Sequence, residues 1–439
     1  MSTAGTRTIV TPLGDVVARD NGRSVRATGL RYATAERFAP PVPVAPWSSP
    51  IDCTQPGRAC PQHPSRFDWV TGPVTAMLEQ SEDCLTVTVT APSSHASVAP
   101  VLVFFQGGAY VSGSGECPAY DPTHLVEEND VVVVTVTYRL GVLGNLAIPG
   151  IAPANLGLMD QILALEWVRD NIATFGGDTD NVTILGQSAG GHSVYLLMLA
   201  DGTDGLFRRV IMQSAPIGIA TGRDAMVADM GRAAADMLGD SAGTCDVSRI
   251  LEVESAMPAV AQPHGFVSGM AFAPQFGHAP LPAESAITSR ITAAIARGVE
   301  VIIGSAAHDG APYSMMAQGT NQPPFAFVSD FSTDAIGDAI TSSFESAAVA
   351  FADSWRAAGG LVQRYVYDWH PSQTALGACH VMDVPPLLGT RDAWADALML
   401  NGGYDDMGFA PRMRAKWASF ARDGLGSDVR TDIRIPADL

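Results

Sequence analysis

The chain has 439 residues, 47% hydrophobic and 16% charged, a balance that supports a large buried core and excludes a disordered chain. Its 26 Lys and Arg residues face 45 Asp and Glu, and the resulting formal charge of −19 argues against nucleic acid or anionic lipid as a partner. No uncharged apolar run reaches bilayer length, so no membrane partner is expected. The first seven residues lack the hydrophobic run of a secretory leader, which makes the cytoplasm the default compartment. The cysteines Cys53, Cys60, Cys84, Cys117, Cys245 and Cys379 form neither a CxxC pair nor a zinc spacing, and no metal or organic cofactor is implied.

Residues 8–11, 16–19 and 24–27 read as strands of an antiparallel meander. They turn at Pro12-Leu13-Gly14-Asp15 and at Asp20-Asn21-Gly22, where Asn-Gly supplies the positive φ of a hairpin turn. Residues 39–82 are rich in Pro and polar side chains and read as surface loop with one short helix, and residues 85–89 alternate as a strand does. From residue 100 the pattern changes. Residues 101–105 and 131–136 are continuous apolar runs, which fit strands buried on both faces of a parallel sheet. Residues 160–172 have helical periodicity through Ile162, Leu165, Trp167 and Val168. Further strands are expected at 182–185, 209–212, 299–303 and 362–367, with helices at 189–199, 225–237 and 286–296. Alternating strand and helix specifies a doubly wound α/β sheet. The whole chain, 1–439, reads as one domain, with helical insertions at roughly 220–300 and 311–360 capping the C-terminal edge of the sheet, where the active sites of such sheets lie.

Gly186-Gln187-Ser188-Ala189-Gly190 follows an apolar strand and opens a helix, the context of a nucleophile elbow. Small residues must flank a serine on so sharp a turn, and the helix N-terminus favours negative charge beside it. The plain alternative is a glycine-rich βα turn without chemistry. An acyl-transfer oxyanion needs preorganised N–H donors. The amide of Ala189 is one candidate. Gly107-Gly108-Ala109, after the strand at 101–105, supplies Gly108 and Ala109 as the others.

In this fold the acid and then the histidine follow the serine. Of nine histidines, His63, His95, His124 and His192 come too early. His264, His278 and His308 precede the last strand, and His308 reads as a loop residue. His370 and His380 both follow the strand at 362–367 and both fit by topology. Asp309, in the loop after 299–303, is the candidate acid, its role being to hold the histidine tautomer. An ordinary Asp-Gly turn is the alternative.

These residues and several further blocks together resemble the type B carboxylesterases, which include the para-nitrobenzyl esterases and cholinesterases. The blocks include Arg37-Phe38-Ala39-Pro40-Pro41, Ser81-Glu82-Asp83-Cys84-Leu85 and Ala59-Cys60-Pro61-Gln62. Tyr138-Arg139-Leu140-Gly141, Asn155-Leu156-Gly157-Leu158-Met159-Asp160-Gln161, Phe175-Gly176-Gly177-Asp178 and Ile211-Met212-Gln213-Ser214 continue the series. The resemblance implies an α/β-hydrolase fold: a mostly parallel central sheet flanked by helices, an N-terminal antiparallel meander and a reduced helical cap. It selects His380 as base through His380-Val381-Met382-Asp383-Val384-Pro385, and puts Asp309 where the family usually has glutamate. It implies oxyanion donors at Gly108, Ala109 and Ala189, with Gly107 and Ser214 as supporting residues. It also implies a buried Glu82–Arg139 ion pair and a Cys60–Cys84 disulfide, against which the missing leader argues.

The chain departs from the family at Asp309, one methylene short of glutamate, and at Gln106, where many relatives have His or Tyr. The segment around Tyr32 to Arg37 is trimmed. The expected activity is hydrolysis of short to medium carboxylic esters, aromatic ones included, through an acyl-enzyme on Ser188. A non-catalytic binding homologue, or a triad hydrolase of amides, carbamates or lactones, are the alternatives.

Overall fold

Three strands open the chain: β1 (Gly5–Thr11), β2 (Gly14–Asp20) and β3 (Ser24–Arg31). β1 and β2 form an antiparallel hairpin with Gly5 opposite Asp20 and Thr11 opposite Gly14. In the next turn Gly22 takes φ 86°, and the Asn21 side-chain oxygen accepts the Arg23 and Ser24 amides at 2.8 Å, which fixes the reversal. The segment that follows holds only the short strands β4 (Ala33–Thr34), β5 (Val42–Pro43) and β6 (Ile51–Asp52) and the single-turn helix α1 (Asp68–Thr71). The structure is a computed structural model and describes residues 5–94, 97–317, 335–426 and 432–439. His95 and part of the 311–360 insertion lie outside the described residues.

The remaining strands are β7 (Thr86–Pro92), β8 (Ala99–Phe105), β9 (Val132–Val136), β10 (Gly177–Gln187), β11 (Arg209–Gln213), β12 (Glu300–Ala306), β13 (Val362–Tyr367) and β14 (Asp432–Ile435). Among the described residues one large sheet runs in the order β1-β2-β3-β7-β9-β8-β10-β11-β12-β13-β14, with β6 beside β2, and β4 and β5 pair with each other apart from it. Pairing is antiparallel from β1 through β7 to β9, then parallel to β14. The reason is visible in β8. Val101, Val103 and Phe105 point into one core while Leu102 and Phe104 point into the other, so an unbroken apolar run is needed.

Helices cover both faces. α2 (Thr123–Asn129) and α11 (Ala410–Asp423) bury Leu125, Met413 and Trp417 on the side of Leu102 and Phe104. On the other side α4 (Leu156–Asn171), α5 (Ala189–Leu199), α8 (Ile287–Ala296) and α10 (Ala335–Ala357) bury Leu165, Leu196, Ala294 and Trp355. α6 (Asp224–Leu238) and α7 (Val247–Ala261) pack on each other through Met230, Val253 and Met257, and α7 leans on the short α3 (Gly141–Gly144). α9 (Ala311–Ala317) follows β12. This is the α/β-hydrolase arrangement. No helix among the described residues is long and apolar enough to cross a membrane.

The expected Glu82–Arg139 pair is not made. Arg139 instead grips Asp160 with Nε at 2.8 Å and a terminal nitrogen at 2.7 Å, both residues buried. Glu82 accepts from Arg37 Nε at 2.9 Å near the surface. The deeper guanidinium takes the fully desolvated carboxylate on α4, because a buried charge without a partner is the costliest arrangement. All six cysteines are free thiols; Cys60 and Cys84 lie together, the Cys84 thiol raised by its hydrogen bond to Cys60 and by burial.

Candidate active site

The parallel strands deliver their C-terminal ends to one edge. The Gly107–Ala109 loop follows β8, Ser188 follows β10, Ser214 follows β11, Asp309 follows β12 and His380 follows β13. Ser188 sits between β10 and α5 at φ 56° and ψ −124°, a conformation that costs free energy for a residue with a Cβ. The surrounding glycines make it feasible. A Cβ on Gly190 would lie 1.9 Å from the Phe105 carbonyl oxygen, and one on Gly186 would lie 2.3 Å from the Gly190 carbonyl carbon. The serine amide is tied to the Gln213 carbonyl at 2.8 Å.

His380 and Asp309 are buried, and His380 Nδ1 lies 2.7 Å from Asp309 Oδ1. The other carboxylate oxygen accepts from the Ser214 hydroxyl at 3.0 Å and from the Ala306 amide at 2.8 Å. The carboxylate is thus held from three directions. Its shorter side chain reaches the histidine because the two loops are stitched side by side. His308 forms a parallel bridge with Cys379, its amide donates to the Ala378 carbonyl at 2.9 Å, and its Nδ1 accepts the Ala378 amide at 3.0 Å. His370 turns elsewhere, to the Pro371 carbonyl at 3.0 Å. With His380 Nδ1 donating to Asp309, Nε2 keeps its lone pair, which accepts from the Gln187 side-chain nitrogen Nε2 at 3.3 Å. A second carboxylate, Asp383, is pushed up to about 6 by burial, but it faces Tyr365 and the oxygen that Tyr365 holds is 2.8 Å from that hydroxyl.

The loop after β8 completes the edge. Gly108 takes φ 109° and Ala109 takes φ 53°. A Cβ on Gly108 would lie 2.1 Å from the Ser112 carbonyl oxygen, and one on Gly107 would lie 2.8 Å from the Gln187 carbonyl oxygen and 3.1 Å from Ser188 Cβ, so both positions favour glycine. Among the described residues no backbone or side-chain group accepts from the amides of Gly108, Ala109 or Ala189. Gln106, beneath the loop, is fully buried and its side-chain amide has no partner among the described residues.

Two clefts open at Ser188. The first, of about 650 Å³, is lined by the Gly107–Ala109 loop, Gln187 and His380, with Phe67, Thr71 and Trp394 opposite. The second, of about 630 Å³, is lined by Ile219, Phe266, Met270, Ile340 and Phe344. Arg66, Ala109 and Tyr313 belong to both. Three rings surround the histidine, with centroids 5.8 Å (Phe67), 5.5 Å (Tyr313) and 5.1 Å (Phe344) from its own. Burial pushes the Tyr313 phenol up to about 12, an effect that Arg66 and a hydrogen bond with Ser188 oppose. No motif in the sequence points to these wall residues. Arg66 and Phe67 lie in the stretch read as surface loop, and Phe344 on a helix of ordinary amphipathic pattern. Among the described residues no His, Cys, Asp or Glu cluster could hold a metal ion.

Known proteins share this chain's sequence and architecture. The profile of the carboxylesterase family matches residues 11–347. The probable N-octanoylanthranilate hydrolase of Rhodococcus erythropolis is 38% identical over 96% of this chain and 94% of its own. The para-nitrobenzyl esterase of Bacillus subtilis is 30% identical over 95% of this chain and 90% of its own. The solved structure of a thermophilic pNB esterase superposes with a TM-score of 0.79, covering 97% of this chain and 93% of its own at 28% identity. The chain belongs to the carboxylesterase family and is a carboxylic-ester hydrolase.

Proposed function

We propose that hydrolysis proceeds through an acyl-enzyme on Ser188, with His380 as general base and acid and Asp309 as its orienting carboxylate. The observation that carries this reading is the 2.7 Å His380–Asp309 bond, buried beside a serine at positive φ where two clefts meet. His380 Nε2 exchanges the Gln187 amide for the Ser188 hydroxyl and takes its proton as Oγ attacks the carbonyl carbon. The amides of Gly108, Ala109 and Ala189 hold the oxyanion; their lack of an internal acceptor supports that role. His380 then protonates the leaving group and activates the water that frees the acid. Ser214 fixes the carboxylate, and Gly107 lets the oxyanion loop approach the serine.

Short to medium carboxylic esters, aromatic ones included, fit the two clefts. A second reading, cleavage of an N-acyl aromatic amide, is favoured by the 38% identity to a protein whose name denotes such a substrate. We read the whole chain as one domain in which parts of the spans 220–300 and 311–360 overhang the site, as Met270 and Phe344 on the cleft wall support, while α8 and most of α10 lie on the sheet face. A cytoplasmic location is supported by the six free thiols. Ser188→Ala is expected to lose about 10⁶-fold in kcat on a para-nitrophenyl ester. Turnover near wild type in that variant would end the proposal.

A further inference from the structure

We propose that Arg66 selects substrates whose leaving group carries a carboxylate. The proposal rests on the Ser188–His380 reading above and specifies what the same site accepts.

The chain carries far more acidic than basic residues, and many of its arginines are paired with carboxylates: Arg31 with Asp83, Arg37 with Glu82, Arg414 with Glu128. Arg66 pairs with none among the described residues. One terminal nitrogen donates to the Gly269 carbonyl at 3.2 Å, and the guanidinium carbon lies 5.8 Å from the centre of the Tyr313 ring. A guanidinium has five N–H donors, so this contact leaves most of the fork unused at the mouth of the site. Neither cleft is lined by Asp or Glu, and Asp309 is fully buried behind His380. An anion entering here meets one cation and no local carboxylate.

The orientation follows from the base. His380 must reach the leaving group to protonate it, and His380 lines the first cleft but not the second. The leaving group therefore occupies the first cleft, whose wall also offers the hydroxyls of Ser65, Thr71, Thr75 and Ser112. The acyl chain takes the second, whose wall is Ile219, Met270, Ile340 and Phe344. Arg66 lines both clefts, and in the first it stands next to Phe67, so an aromatic leaving group there can lie against the rings while its carboxylate meets the guanidinium. A planar fork suits a carboxylate because two parallel hydrogen bonds form at once.

The test compares two esters with the same acyl chain, one of nitrophenol and one of nitrosalicylate, which adds only a carboxylate to the leaving group. Rates are normalised to alkaline hydrolysis. Arg66→Gln should lower the ratio of kcat/KM, carboxylate ester over neutral ester, by about tenfold, mainly through KM, as expected for an exposed charge-assisted contact. Arg66→Lys should keep part of the ratio, because the charge remains while the fork is lost. Added salt should lower the ratio in the wild-type enzyme but not in Arg66→Gln, where screening of the chain's net negative charge can only raise it, a contrast that a merely structural role would not produce. An unchanged ratio in Arg66→Gln, or a wild-type ratio indifferent to salt, overturns the proposal. Failure of the catalytic reading looks different: hydrolysis of the neutral ester would then survive Ser188→Ala.

Discussion

The strand–helix turn at Ser188 and the wall that faces it are built by opposite means. The turn is local. β10, Ser188 and α5 are consecutive, and their geometry is enforced by backbone contacts that a single Cβ on Gly186 or Gly190 would break. The wall is assembled from segments far apart in the chain: Phe67 beside α1, Tyr313 on α9 and Phe344 on α10 meet around His380 through ring contacts. Backbone constraints of the first kind leave few sequence solutions. Ring packing of the second kind leaves many, because side chains of similar volume can exchange at modest cost. On the proposed reading, reaction type is held by the turn and substrate range by the wall.

The largest effect should come from the chemical side. Asp309→Asn keeps the shape of the acid but offers the wrong hydrogen-bond pattern to His380 Nδ1, and kcat should fall about 10⁴-fold with little change in KM. Wild-type turnover in that variant would break the comparison, since the turn would then work without its partners.

A stability effect should follow from a group outside both regions. Glu254 on α7 is buried under the loop at Gly141, accepts the Val142 amide at 3.2 Å, and burial pushes it up to about 7 from 4.5. Between those values the folded chain binds more protons than the unfolded one, so this residue makes stability fall as pH rises through that window. The penalty is absent below 4.5 and constant above 7. Its size is about 3 kcal/mol, an order-of-magnitude figure. Glu254→Gln keeps an acceptor for the Val142 amide and removes the ionisation. Thermal melts should show it more stable than wild type at pH about 8 and equal to it near pH about 4. Equal melting temperatures at both pH values would contradict the assignment.

The smallest effect belongs to the wall. Phe344→Ala should change kcat/KM for long against short acyl chains by about tenfold, while reactivity toward the shortest ester stays close to wild type. A collapse of activity on every ester would mean that the wall, too, serves the chemistry.

The same division explains what the sequence made legible. The turn at Ser188, the Gly107–Ala109 loop and the apolar strands could be located because each is a local pattern in the chain. His380 could not be separated from His370 by position alone; the resemblance to a family selected it, and the structure turns His370 away to Pro371. Arg139 was assigned the wrong partner because sequence order does not say which carboxylate is buried beside it, and only the packing of α4 brings up Asp160. Asp309 could be proposed as the acid, but not how it reaches His380, since that contact depends on the bridge between His308 and Cys379. Arg66 and Phe67 stayed hidden because a loop without periodicity gives no clue to which side chains turn inward.

The central claim is that Ser188 is the nucleophile and that His380 and Asp309 activate it. Labelling with a fluorophosphonate, followed by peptide mapping, tests it most directly. The account predicts one adduct, on Ser188, absent from Ser188→Ala and formed far more slowly in Asp309→Asn. An adduct on another serine, or no adduct on an enzyme that hydrolyses esters, would contradict it.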